Sequence, residues 1–150
     1  MKKDKKYIIS PEIYSLNKFS PKLKVAILAS GDGSNFQALV DLAKKKKFDI
    51  DIKILICNKS NAGCVRRAIK EKIPYFICEE SICNNKDDFE QKIIGKLIES
   101  DIELIVLAGW MKILTANFIT KINRKIINIH PSLLPKYKGL NTHQKALKAK

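Results

Sequence analysis

Short apolar runs rich in β-branched residues alternate along this chain with segments whose apolar residues recur every three or four positions. That alternation constrains the fold more than any other feature. It begins at Leu23, where Leu23-Lys24-Val25-Ala26-Ile27-Leu28-Ala29 reads as a strand. Ser30-Gly31-Asp32-Gly33-Ser34-Asn35 interrupts it, and Phe36, Leu39, Val40 and Ala43 follow at helical spacing. Lys44 to Lys47 close the last turn, where cations suit the helix dipole. The pattern then repeats. A second strand is expected over 50–57, then a helix capped by Asn61 and carrying Val65, Ala68 and Ile69, with Pro74 beyond its end. A third strand is expected over 75–78, then a helix over 87–100 with Phe89, Ile93 and Leu97 on one face. The run 102–108 is apolar enough to be covered on both faces. A short helix over 116–122 and a fifth strand over 125–129 complete the series. Alternating strands and helices imply an α/β fold, a Rossmann-like parallel sheet flanked by helices with right-handed crossovers.

At 150 residues the chain fits one domain able to bury a real core. Residues 1–22 are polar and lysine-rich, with Pro11 and Pro21, and read as a basic N-terminal extension to a domain over 23–150. No apolar run approaches the roughly 20 residues needed to span a bilayer. Tyr7-Ile8-Ile9 is too short for a signal-peptide core, so a cytoplasmic protein with no membrane partner is expected. Cys57, Cys64, Cys78 and Cys83 contain no C-x-x-C and do not read as a zinc site or a disulfide framework. Cys57 and Cys78 lie in apolar runs and read as buried reduced thiols; no metal is expected. The net charge of +14 is carried almost entirely by lysine spread along the chain, with arginine only at Arg66, Arg67 and Arg124. Such a field favours anionic small ligands, and dedicated nucleic-acid binding is not expected.

In parallel sheets ligands bind at the carboxyl ends of strands. Three distinctive segments fall there: Ser30 to Asn35, Gly109-Trp110-Met111-Lys112, and Asn128-Ile129-His130-Pro131-Ser132-Leu133-Leu134-Pro135. The first places glycines and unpaired N–H groups at a helix start, where an anion is favoured. It is neither a P-loop nor a full G-x-G-x-x-G, and a tight turn with an Asn cap would look the same. The second could be ordinary core or an apolar wall for a flat ring. In the third, Asn128 and His130 would leave one strand face at i and i+2. An Asn N–H can donate to an oxyanion, and a His can move a proton or stabilise negative charge near neutral pH. The pair suits acyl-type transfer better than metal binding. His143 reads as a helix-start residue.

With these segments in place, the chain resembles the phosphoribosylglycinamide formyltransferases, the glycinamide ribonucleotide transformylases of de novo purine (IMP) biosynthesis. The matching pieces are Ala29 to Ala38, Leu107 to Leu114 and Ile127 to Leu140, in order and spacing from about Leu23 onward. The resemblance implies formyl transfer from 10-formyltetrahydrofolate, as co-substrate, to the primary amine of glycinamide ribonucleotide. It implies that Gly33, Ser34 and Asn35 hold the substrate phosphate, and that Met111, Ile113 and Leu114 line the folate pocket. It also implies that Asn128 steadies the oxyanion and touches folate, while His130 stabilises that oxyanion and assists proton transfer. Pro135 stands where the family has a cis peptide. Lys86 stands where many members carry a folate-contacting Arg, keeping the charge and losing the planar fork.

The family pattern continues for several tens of residues beyond this length, with the last strands and an Asp that pairs with the His. Residues 104–150 contain no Asp or Glu, and Glu103 belongs at the far end of its strand. If the chain is complete, the expectation is a severely impaired or inactive catalyst. Two other readings stand beside it: a non-catalytic truncated fragment that binds nucleotide or folate, and a methionyl-tRNA formyltransferase-like domain. The Gly-Ser-Asn loop argues against the latter and against a formyltetrahydrofolate hydrolase.

Overall fold

A computed structural model of the protein describes residues 20–132, 135–137, 139 and 141–149. Among them, β1 (Leu23–Ala29) leads through a tight loop into α1 (Ser34–Lys44), followed by β2 (Ile50–Cys57), α2 (Gly63–Glu71) and β3 (Tyr75–Ile77). A 3-10 turn over Glu80–Ile82 precedes α3 (Lys86–Glu99), then β4 (Leu104–Leu107), α4 (Ala116–Ile122), β5 (Lys125–Asn128) and α5 (Thr142–Lys148). The five strands form one parallel sheet in the order β3-β2-β1-β4-β5. The α/β architecture therefore follows the expectation. Most of the proposed extension, residues 1–19, lies outside the described residues.

Both faces of the sheet are covered, which is why its central strands read as unbroken apolar runs. Ala26, Leu28, Ile54, Ile56 and Ile105 point to one side, packing with Phe89, Ile93 and Leu97 of α3 and Phe118 and Ile122 of α4. Val25, Ile27, Leu55, Cys57 and Val106 point to the other, against Phe36 and Val40 of α1 and Val65 and Ala68 of α2. Each Ile, Leu or Phe so buried contributes about 1.5–3 kcal/mol of transfer free energy. At β5 the covering is thinner: Ile126 packs inward, while Ile127 and Ile129 are about half exposed.

Several local expectations need correction. Asn61 does not cap α2; the N-cap is Ala62, without a side-chain hydrogen bond. Tertiary contact decides that start, because a Cβ at Gly63 would lie 2.8 Å from the Asp32 carbonyl oxygen. Ile69 is 56% exposed, at the rim of a narrow stripe made by Cys64, Val65 and Ala68. The lysine run extends past α1, whose C-cap is Lys45. The α3 helix starts at Lys86, one residue early, because Asn85 accepts from the Asp88 N–H at 2.9 Å. Strand β4 is shorter than its apolar run, and Ile102 and Ala108 are buried beside it. His143 is the second residue of α5.

Candidate active site

The strand order reverses at β1. Successive strands β2 and β3 add on one side, β4 and β5 on the other, leaving a crevice above the carboxyl ends of β1 and β4. The three singled-out segments leave β1, β4 and β5 at this end. Backbone bonds tie them together: Ser30 N–H donates to Gly109 O at 3.1 Å, Ala108 N–H to Leu28 O at 2.9 Å, and Ile129 N–H to Leu107 O at 3.2 Å. The hydroxyl of buried Ser30 accepts from the Met111 N–H at 2.9 Å, joining the first and second segments directly. Gly109 makes this possible by adopting φ +79, a left-handed conformation that other residues enter at a cost.

Gly33, at φ +81, is the N-cap of α1 and starts its ladder, since Gln37 N–H donates to Gly33 O at 2.9 Å. No side chain caps the helix and its first turn holds no acidic residue. The opening amides of α1 therefore present an uncompensated positive dipole end. Ser34 and Asn35 are both exposed there, with no side-chain hydrogen bond among the described residues. Such a helix start accepts a phosphate or carboxylate.

The start of α2 supports this loop, a role the sequence reading missed. A Cβ at Gly33 would lie 2.6 Å from Cys64 Cβ, and Cys64 N–H donates to Gly31 O at 3.0 Å. Arg67 donates through Nε to Asp32 O at 2.9 Å and through Nη2 to Asp32 Oδ2 at 2.8 Å. The Asp32 charge is thus turned toward Arg67 rather than left open beside an incoming anion. The only sequence signal for this support is Gly63, a glycine placed at a helix's first position.

The second segment divides its roles. Trp110 is core, 8% exposed and stacked on Phe89 with ring centroids 6.3 Å apart. Met111 and Ile113 stand in solvent at 64% and 83% exposure, and Leu114 packs partly on the core. All three follow β4 on the segment tied to Ser30. Lys112 pairs with Glu80 across a cleft of about 530 Å³ lined by Asn58, Lys59, Ser60, Asn61, Glu79 and Ser81 as well. Glu79 accepts from the Ser60 N–H at 2.7 Å; the Ser60 side chain first, and this backbone bond second, hold its carboxyl below its ordinary value. Nothing in the spacing of those residues announced the cleft, which loops after β2 and β3 create. Lys86 is exposed at the start of α3.

Asn128 closes β5, and His130 lies two residues on, past the Ile129 bond to β4. Both are exposed and neither has a side-chain hydrogen bond or ion pair among the described residues. Glu103 accepts from the Lys24 N–H at 2.8 Å, at the opposite end of β1 from Ser30. Leu133 and Leu134 lie outside the described residues, so the peptide bond before Pro135 does too. No group of three or more His, Cys, Asp or Glu side chains is placed to hold a metal among the described residues. No helix among them is long and apolar enough to cross a membrane.

Known proteins share this fold. Residues 23–149 match the formyl transferase family model. The chain is 41% identical over 126 residues to a phosphoribosylglycinamide formyltransferase of Bacillus subtilis, covering 84% of this chain and 65% of that protein. It is 40% identical over 126 residues to the human trifunctional purine biosynthetic protein adenosine-3, covering 84% of this chain and 12% of that much longer one. Among solved structures, a glycinamide ribonucleotide transformylase from Geobacillus kaustophilus superposes with a TM-score of 0.81 at 35% identity, over 85% of this chain and 68% of that one. The Coxiella burnetii phosphoribosylglycinamide formyltransferase, in complex with CHES, gives 0.80 at 41% identity, over 85% and 60%. The chain thus spans about two thirds of the length of single-function relatives and a small part of the trifunctional ones.

Proposed function

The chain belongs to the formyl transferase family as a homologue of phosphoribosylglycinamide formyltransferase, and on that premise we propose that it transfers a formyl group from 10-formyltetrahydrofolate to the amine of glycinamide ribonucleotide. The observation that carries the reading is the Ser30–Met111 bond of 2.9 Å. It joins the loop that leads into α1 to the segment after β4, and in our reading a phosphorylated amine and a flat ring meet between them.

The 10-formyl group supplies the electrophilic carbon. In our reading the open amides of α1, with Ser34 and Asn35 and the backbone of Gly33, hold the substrate phosphate. That contact orients the amine without entering the chemistry. Met111, Ile113 and Leu114 receive the folate ring by apolar contact. Lys86 offers its cation to the negatively charged tail as a point charge. When the amine nitrogen attacks the formyl carbon, the carbonyl oxygen becomes an oxyanion. The Asn128 side-chain N–H donates to it, a contact that strengthens only as charge develops. His130 stabilises the same charge and relays the proton that leaves the amine. Collapse expels the folate nitrogen, which is protonated, and leaves the formamide.

His130 needs a proton acceptor, and residues 104–150 hold no Asp or Glu to serve it. In this proposal that acceptor comes from outside residues 104–150. The test is a formyl-transfer assay of pure protein with glycinamide ribonucleotide and, separately, with charged initiator tRNA, beside calorimetry with glycinamide ribonucleotide and a folate analogue. Binding of both small molecules, with any turnover confined to glycinamide ribonucleotide, is expected. Transfer to tRNA, or no binding of either small molecule, overturns the assignment.

A further inference from the structure

Cys57 ends β2 and Cys64 lies in the first turn of α2, with the exposed residues Lys59, Ser60 and Asn61 between them. Both thiols are buried. Their sulfurs are 3.5 Å apart, with the Cys64 S–H directed at Cys57 Sγ. The Cys57 S–H reaches the Lys59 carbonyl at 3.2 Å. Cys64 is also the residue on which the Gly31–Gly33 loop rests, through its 3.0 Å bond to Gly31 O and its packing against Gly33. A pair of thiols in near contact thus sits directly beneath the loop that opens α1.

We propose that Cys57 and Cys64 are a modification site: a small peroxide converts them to a reversible disulfide that draws Cys64 away from Gly33 and loosens the loop. The bond requires about 2.05 Å between sulfurs, so they must close by roughly 1.5 Å from their present 3.5 Å separation. Close packing against Gly33 leaves Cys64 no room to move toward the loop, so closure carries it toward Cys57. The Cys64 N–H then loses its alignment with Gly31 O.

The chemistry balances. The Cys57 thiolate attacks one peroxide oxygen and breaks the O–O bond, giving a sulfenic acid and, after protonation, water. The Cys64 sulfur gives up its proton and attacks Cys57 Sγ, forming the S–S bond and releasing a second water. Two electrons leave the thiols and reduce the peroxide; a dithiol reductant reverses the step. The short turn over Lys59–Asn61 is exposed while both cysteines are fully buried, so the peroxide reaches them through an opening of that turn. The Cys64 S–H bond to Cys57 pulls the Cys57 thiol down to about 7, and giving that bond pushes Cys64 up. The attacking and resolving roles follow from that asymmetry.

The proposal rests on the phosphate-loop reading only for its functional consequence, so its test reads the loop itself. The 150-residue chain is treated with hydrogen peroxide, then digested for disulfide mapping and followed by amide exchange. A Cys57–Cys64 linkage is expected, with free thiols falling from four to two. Exchange over residues 30–36 should rise about tenfold. Both effects should reverse with dithiothreitol, vanish in Cys57→Ser and Cys57→Ala, and persist in Cys83→Ser. Retention of all four thiols, linkage through Cys78 or Cys83 instead, or a Cys57–Cys64 bond with unchanged exchange over 30–36 would each overturn it. Glycinamide ribonucleotide binding to the reduced chain tests the phosphate reading separately.

Discussion

The carboxylate of Glu90, 2% exposed, accepts from the Thr115 backbone N–H at 2.9 Å and from the Thr115 hydroxyl. Thr115 in turn caps α4 by accepting from the Phe118 N–H at 3.1 Å. One buried side chain of α3 thus fixes where the segment carrying Met111, Ile113 and Leu114 ends. Replacing Glu90 with Leu strands both Thr115 donors and should cost about 2–4 kcal/mol in urea unfolding. Glu90→Gln, which keeps an acceptor for the N–H and gains a donor for the hydroxyl oxygen, should cost less than about 1.5 kcal/mol. Equal costs for the two would mean that the pair fills space and satisfies no donor.

Three glycines near the crevice make a graded series. Gly33→Ala meets both a left-handed φ of +81 and a Cβ contact of 2.6 Å, so it should lose at least about 3 kcal/mol. Gly109→Ala has φ +79 but open space, which limits its loss to about 1–2 kcal/mol. Gly31→Ala meets nothing within 4 Å and should be close to neutral. Denaturant midpoints that fail to rank in this order would remove the packing of Gly33 on Cys64 from the account of the loop.

Helix dipole and ligand charge make opposite demands at residue 34. An acid in the first turn of α1 favours the helix by about 0.3–1 kcal/mol. It also occupies the place of an incoming phosphate. Ser34→Asp should therefore raise the melting temperature slightly while weakening glycinamide ribonucleotide binding at least about tenfold. Unchanged binding in that variant would move the phosphate elsewhere.

Asn128 and His130 are exposed and make no side-chain bonds among the described residues. Alanine at either should shift stability by no more than about 0.5 kcal/mol. In a preparation that turns over, Asn128→Ala should lower the transfer rate about 100- to 1,000-fold. A large loss of stability would assign the pair to the fold instead of to the reaction.

Glu71 ties the end of α2 to α1, accepting from Lys44 and from Gln37 Nε2 at 2.9 Å. The Lys44 bond first, and the Gln37 bond second, hold its carboxyl below its ordinary value of 4.5. A depressed folded value means the stabilisation is complete above about 4.5 and is lost as pH falls through the lower folded value. Glu71→Gln should flatten the fall of stability with acid in that window and leave the slope above it unchanged. A parallel offset at every pH would assign its effect to packing.

Much of this arrangement was legible from residue order. The run 23–29, the loop after it and the spacing of Phe36 and Val40 specify strand, turn and helix through purely local chemistry; the strand keeps its bounds, while α1 begins at Ser34, inside the expected loop, and ends at Lys44, before the lysine run does. The motifs' shared end of the sheet followed from parallel topology alone. The start of α2 was misplaced because Asn61 has the right cap chemistry locally, while the loop at Asp32, distant in sequence, decides where Gly63 must sit. Ile69 looked buried because apolar spacing marks a stripe without giving its width. The division between Trp110 inside and Met111 outside was hidden for a similar reason. Only the position of Phe89 on α3 tells the ring which way to turn.

Ser30 and Met111 are 81 residues apart in the chain, and their bond closes the centre of the sheet. Among the described strands the first is also the middle one, so a chain that has made β1 holds half of the crevice and waits for β4 to supply the rest. Nothing in the crevice can be recognised before that pairing forms. A ligand that bridges the two loops therefore binds only chains whose central strands have joined, and titrating it counts correctly assembled molecules in a preparation.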